Sequence, residues 1–216
     1  MTEALSWLAA LVTVGLLVGY EAALVVMHRR QPGRLARSAH AKLREEWFAA
    51  VSAQKGSEIL AVQTLRNSLM SATMTASTAV LGLIGTVTLA APSLHASFGA
   101  ASAGVGPSNV RLVLELVLMA LLLASLVSST MAVRFYNHAG FIGGMPVESE
   151  ARQRWIAAGT VYVRRAGLLY SWGLRHLILV APILASILHP LAGPIAAVVI
   201  VTVLYRFDRA GAMRTQ

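Results

Sequence analysis

Apolar residues fill four stretches of the chain and leave polar, mostly basic segments between them. Residues 4–27 form one run broken by a single acid, Glu21. At about 1.5 Å per helical residue it is long enough to cross roughly 30 Å of hydrocarbon. Glu3 precedes the run and Arg29, Arg30, Arg34 and Arg37 follow it. That is the reverse of a cleaved leader, so it reads as a first span with the N-terminus outside. Residues 67–91 carry no charge and stop at Pro92, which predicts a second span ending there. Residues 110–133, interrupted only by Arg111 and Glu115, predict a third. The last stretch, 167–207, is too long for one crossing. His189-Pro190 and Gly193-Pro194 suit a turn inside it, so it reads as two spans, 168–188 and a short 191–205.

The intervening segments 28–66 and 134–167 are predicted to lie on the inside and to contain amphipathic helices. In the first, Leu43, Trp47, Ala50 and Val51 recur at helical spacing among Lys42, Arg44, Glu45 and Glu46. In the second, over Ser149 to Tyr170, Trp155, Tyr162 and Leu169 stand against Arg152, Arg154, Arg164 and Arg165. Such segments suit an anionic headgroup layer, or packing on each other beneath the membrane. Residues 92–109 form an outer Ala/Gly/Ser connector.

Charge placement chooses the topology. With five crossings, residues 28–66 hold eight Lys/Arg, 134–175 hold six and the tail after Tyr205 holds three, so only Arg111 of eighteen lies outside. Four crossings would export Arg206, Arg209 and Arg214. Composition agrees with one integral membrane domain over residues 1–216, an all-α polytopic bundle of about five spans. The chain is 56% hydrophobic and only 12% charged, with a mean hydropathy of +0.67. The absence of cysteine excludes thiol catalysis and thiolate metal sites. A net charge of +9 would suggest nucleic acid in a soluble protein. Here it is first an orientation signal for an inner (plasma) membrane, then an invitation to anionic lipid, and no nucleic-acid partner is expected.

Small and polar residues of the second span fall on one face: Thr64, Asn67, Ser68, Ser71, Thr75, Thr78, Gly82 and Gly85 recur at spacings of three and four. Such a stripe is expected to pack helices closely, within or between protomers, to line a path in a homo-oligomer, or to form a small-ligand pocket. Gln63, Arg66 and Asn67 where the second span enters the membrane, and Arg134, Tyr136, Asn137 and His138 where the third leaves it, are expected at one depth. There they would bind an anion or phosphate headgroup, or tie the loops together. Glu21 and Glu115 are intramembrane acids that need a partner. Arg111, four residues before Glu115, supplies one, whereas Glu21 has no local partner and would need Arg66, Arg134 or Arg175. No metal-ligand spacing, nucleophile motif or phosphate-cradling loop is present, so no catalytic residues, cofactor or metal are expected and the chain does not read as an enzyme.

Longer strings carry a resemblance. AVQTLRNSLMSATMTASTAVL at 61–81, VRFYNHAGFI at 133–142, the segment His28 to Trp47, Gly173-Leu174-Arg175, and the ending Val203-Leu204-Tyr205-Arg206-Phe207-Asp208 together resemble the membrane family of domain of unknown function 599. The family pattern has Trp at the position of Ser186 and Gly at that of His189. The resemblance implies a multi-span integral membrane protein and no established activity. Two functional expectations follow from the residues. One is a homo-oligomeric channel or transporter-like permeation protein for small ions, with Arg66 and Arg134 at its mouth. The other is a non-catalytic scaffold that binds anionic lipid or organises a partner.

Overall fold

A computed structural model describes residues 3–30, 36–99 and 110–210. They form α1 (Glu3–Arg30), α2 (Ala36–Ala53), α3 (Glu58–Gly99), α4 (Val110–Gly144), α5 (Glu150–Leu188) and α6 (Ala192–Ala210), with no strand among the described residues. Four of these, α1, α3, α4 and α5, are long and apolar enough to cross a membrane. The expected fifth crossing falls on α6, 19 residues long, which is not among these four. Residues 100–109 of the expected connector, together with Arg34 and Arg214, lie outside the described residues.

Three features differ from the sequence expectation. Pro92 does not end the helix of the second span but sits inside α3, which continues to Gly99. Proline removes one helical hydrogen bond, a loss that long membrane helices absorb locally. The segment 134–167 is not a loop: α4 continues to Gly144 and α5 starts at Glu150. The basic helix expected over Ser149–Tyr170 is therefore the first half of the helix that also carries the expected fourth span, because nothing between them breaks it. Thirdly, the buried face of α2 is Ala36, Ala41, Phe48 and Ser52, while Leu43 is exposed. The four residues expected to define an apolar face missed Phe48, the best-buried side chain of that helix.

α4 lies between α3 and α5. α2 and α6 pack on α5, and α1 packs on α6 with lighter contacts to α5 and α4. Two apolar cores result. One joins Leu17, Tyr20 and Leu24 of α1 to Leu114, Leu118 and Leu122 of α4, Leu179 and Ile183 of α5 and Leu204 of α6. The other, at the α2 end, joins Phe48 to Leu65, Ala72, Ala132, Tyr136, Ile142 and Val163. Helices of 35 to 42 residues overrun a hydrocarbon layer by roughly 20–30 Å.

Local chemistry fixes the turns at that end. Gly56 takes φ +85, a left-handed backbone that glycine adopts without strain, and Ser57 Oγ donates to the carbonyls of Val51 and Gln54 at 2.6 Å. Ser149 caps α5 by accepting from the Arg152 backbone N–H at 3.2 Å. Small residues let α4 and α5 approach closely: Ser125 Oγ donates to the Gly173 carbonyl at 2.7 Å, and a side chain at Gly173 would collide with Ser129.

Candidate functional site

Arg175 of α5 is 5% exposed and stands where α1, α5 and α6 meet. Its Nε donates to Glu21 Oε1 at 2.5 Å. Its two terminal nitrogens straddle the Asp208 carboxylate, Nη2 to Oδ2 at 2.6 Å and Nη1 to Oδ1 at 3.4 Å. Tyr20 closes the ring, accepting from Arg175 Nη2 at 2.9 Å and donating to Asp208 Oδ2 at 2.5 Å. One guanidinium thus meets two carboxylates and a phenol, the geometry in which its planar fork serves best. A second cation lies close: Arg37, in the first turn of α2, sits 4.2 Å from the centre of the Trp172 ring, and Trp172 stacks on His176. Burial holds the Arg37 pKa below its usual value, the like charge of Arg175 adds to the shift, and Asp208, Glu21 and Tyr20 oppose it.

The ring leaves atoms over. Glu21 Oε2 and His176 Nδ1 are buried without a hydrogen-bond partner. Both residues line a cavity of about 350 Å³ between α1, α4 and α5 whose other walls are almost wholly apolar.

The other candidate residues divide. Arg66 and Asn137 come together in a second cavity, of about 370 Å³, between α3 and α4, with Val62, Leu69, Tyr136 and Phe141. His138 is exposed and turns the other way, its ring 5.7 Å from that of Tyr162 on α5, while Gln63 and Arg134 are exposed. Arg44 of α2 lies beside Tyr136 in a neighbouring cavity of about 280 Å³ that also touches Thr64, Leu65 and Ser68. At the far end of α4, Arg111 Nε donates to Glu115 Oε1 at 2.9 Å, with Glu115 buried and Arg111 exposed.

Within the stripe, Thr75 is buried and Gly82 faces α4, where an added Cβ would stand 2.9 Å from Leu122 Cδ2. Asn67, Ser71 and Thr78 are exposed on the outside of the chain, and Ser68 is half-buried. The hydroxyls of Ser68, Ser71, Thr75 and Thr78 each donate to the carbonyl four residues earlier, at 2.9 to 3.2 Å. Their donors are satisfied without a neighbouring helix.

Asp208 and Tyr20 carried no signal of their own at the sequence level. Asp208 falls in the basic tail after the last apolar run, and Tyr20 lies inside the first. Only the continuation of α6 past Tyr205 brings Asp208 back to α5. Among the described residues, no group of three or more His, Asp or Glu could hold a metal ion.

A family model described as "Protein of unknown function, DUF599" matches residues 8–213. No curated protein and no solved structure matches the chain.

Proposed function

The chain belongs to the DUF599 family of proteins of unknown function, and we propose that this membrane protein binds the anionic headgroup of a bilayer lipid and performs no catalysis. One observation carries the reading. Arg66 and Asn137, from different helices, share a cavity whose remaining walls are mainly the apolar side chains of Val62, Leu65, Leu69 and Phe141. A guanidinium and an amide beside alkyl surface match a phosphate joined to acyl chains. Arg44, on the other side of Leu65 and Tyr136, adds a second cation at the same level.

The test is native mass spectrometry of full-length protein released from nanodiscs of phosphatidylcholine with or without phosphatidylglycerol. The protein should retain phosphatidylglycerol selectively. Arg66→Ala with Asn137→Ala should weaken retention about tenfold, the scale of a lost charge-assisted hydrogen bond. Equal retention of the two lipids, or unchanged retention by the variant, overturns the reading.

The exposed polar edge Asn67, Ser71 and Thr78 favours a second reading, in which copies associate through α3 and ions permeate between them. Purified protein in liposomes that passes neither anions nor cations down imposed gradients would exclude it.

A further inference from the structure

On the other side of Leu65 and Tyr136 from Arg66, the charge of Arg44 goes unanswered. This residue of α2 is half-buried, and no carboxylate pairs with it among the described residues. Both acids that follow it on α2 are engaged elsewhere, Glu45 with Arg164 at 3.4 Å and Glu46 with Lys42 at 3.5 Å. Arg44 lies across α5 at Gly167, where any Cβ would collide with its guanidinium, and its charge reaches the Tyr136 phenol on α4. Its nitrogens nevertheless stay accessible, unlike Nε and Nη2 of Arg152, which are sealed without a partner. A cation drawn partly out of water with no counter-charge is costly, so the position favours an anion supplied from outside the chain.

We infer that the cavity lined by Arg44 binds a fatty acid, a single alkyl chain ending in a carboxylate. Four helices frame this space of about 280 Å³. Leu43 and Trp47 of α2, Leu65 of α3 and Val163 of α5 give it apolar walls, and its lining holds one cation and no acid. A planar carboxylate fits the guanidinium fork through two parallel hydrogen bonds, while the chain lies against the apolar walls. Pockets for drug-sized ligands begin at about 300 Å³, so there is room for one alkyl chain and not two. An uncharged lipid would leave Arg44 unanswered. This site is separate from that of Arg66 and does not depend on headgroup binding there.

The experiment uses the full chain in nanodiscs of phosphatidylcholine alone, at mildly alkaline pH so that the carboxylate is ionised. A diazirine-bearing long-chain fatty acid is added and its photolabel mapped by mass spectrometry. Label should fall on α2 around Leu43 and Trp47. The unlabelled acid should compete at least about tenfold better than its methyl ester, which keeps the chain and loses the charge. Arg44→Gln should weaken binding of the acid by about the same factor. Thr64→Trp, which fills the cavity from an exposed position and leaves Arg44 in place, should abolish the label. Equal competition by ester and acid in the unaltered protein overturns the proposal, as does stronger competition by a single-chain alkyl phosphate or by phosphatidylglycerol. So does label concentrated between α3 and α4 away from α2, or an undiminished preference for the acid in Arg44→Gln. A protein that binds the acid in this way but retains phosphatidylglycerol no better than phosphatidylcholine upholds the fatty-acid site and removes the headgroup reading alone.

Discussion

Helix α5 carries two buried arginines that solve the same problem in opposite ways. Arg152, 1% exposed, is answered by backbone at one nitrogen: its Nη1 donates to the carbonyls of Ile142, Gly143 and Met145 at 3.2, 2.6 and 2.6 Å, while its Nε and Nη2 are buried without a partner. Those carbonyls belong to the end of α4 and the turn that follows, seven to ten residues away in sequence, and the Ile142 carbonyl also accepts from the Met145 backbone N–H at 3.2 Å. Arg175 is answered by acids brought from 154 and 33 residues away. The first is a local corner brace, whose partners are dipoles that remain neutral whatever happens to the arginine. The second is a charge cluster, in which removing the cation strands two carboxylates.

That difference sets the largest expected effect. Arg175→Leu should cost about 3–5 kcal/mol, the scale for breaking a buried ion pair from one side, measured by tryptophan fluorescence during unfolding in mixed detergent micelles. Replacing the whole set, Arg175→Met with Glu21→Leu and Asp208→Leu, should recover part of that loss, since no buried carboxylate is then stranded and only Arg37, over the Trp172 ring, loses its acids. A triple variant as unstable as Arg175→Leu would show that the cluster contributes more than mutual neutralisation. Arg152→Met should cost about 2–3 kcal/mol in the same assay, because the abandoned carbonyls lose a donor but no net charge is exposed. If Arg152→Met proves the more damaging, the contrast between brace and cluster fails.

Packing around the brace gives the next effect. Gly159 lies one helical stretch beyond Arg152, and a Cβ there would stand 2.6 Å from Phe48 Cε1 and 2.8 Å from Cζ. Phe48 is fully buried, so its ring cannot swing clear and α2 must shift. Gly159→Ala should cost about 2 kcal/mol by the same unfolding measurement. An equal loss without disturbance of α2 packing, followed by proteolysis at the α2–α3 turn, would place the strain elsewhere.

The same contrast explains what could be read from sequence. Apolar runs and the distribution of Lys and Arg give the membrane helices because both act along the chain, one residue after another. The need of Glu21 for a distant cation is also legible, since an intramembrane acid without a neighbour at helical spacing demands one. Which cation answers it is not, because Arg66, Arg134 and Arg175 are equivalent until α1 is placed against α5. Asp208 was hidden for the same reason, as its role depends on the direction in which α6 returns. Phe48 was missed because the apolar positions of α2 are sparse, and a face drawn through Leu43 and Trp47 is as periodic as the buried one. Arg66 and Asn137, by contrast, could be placed together in advance, since antiparallel neighbours entering and leaving at one level must bring them to the same depth.

The smallest expected effect tests how far the cluster relies on its one uncharged member. Tyr20→Phe removes a hydroxyl that accepts from Arg175 and donates to Asp208, yet Arg175 Nη2 keeps its bond to Asp208 Oδ2 and Nε keeps Glu21. No charge is left alone, and the ring itself remains buried among Leu17, Leu24 and Leu204. The loss should therefore be about 1.5 kcal/mol, the scale of a hydrogen bond to a charged group. A double-mutant cycle with Asp208→Asn separates the two bonds, because the coupling between these positions reports the Tyr20–Asp208 bond alone. A Tyr20→Phe penalty equal to that of Arg175→Leu would mean that the phenol, rather than charge balance, holds the guanidinium in place. The cluster would then be a hydrogen-bonded brace of the same kind as the Arg152 corner.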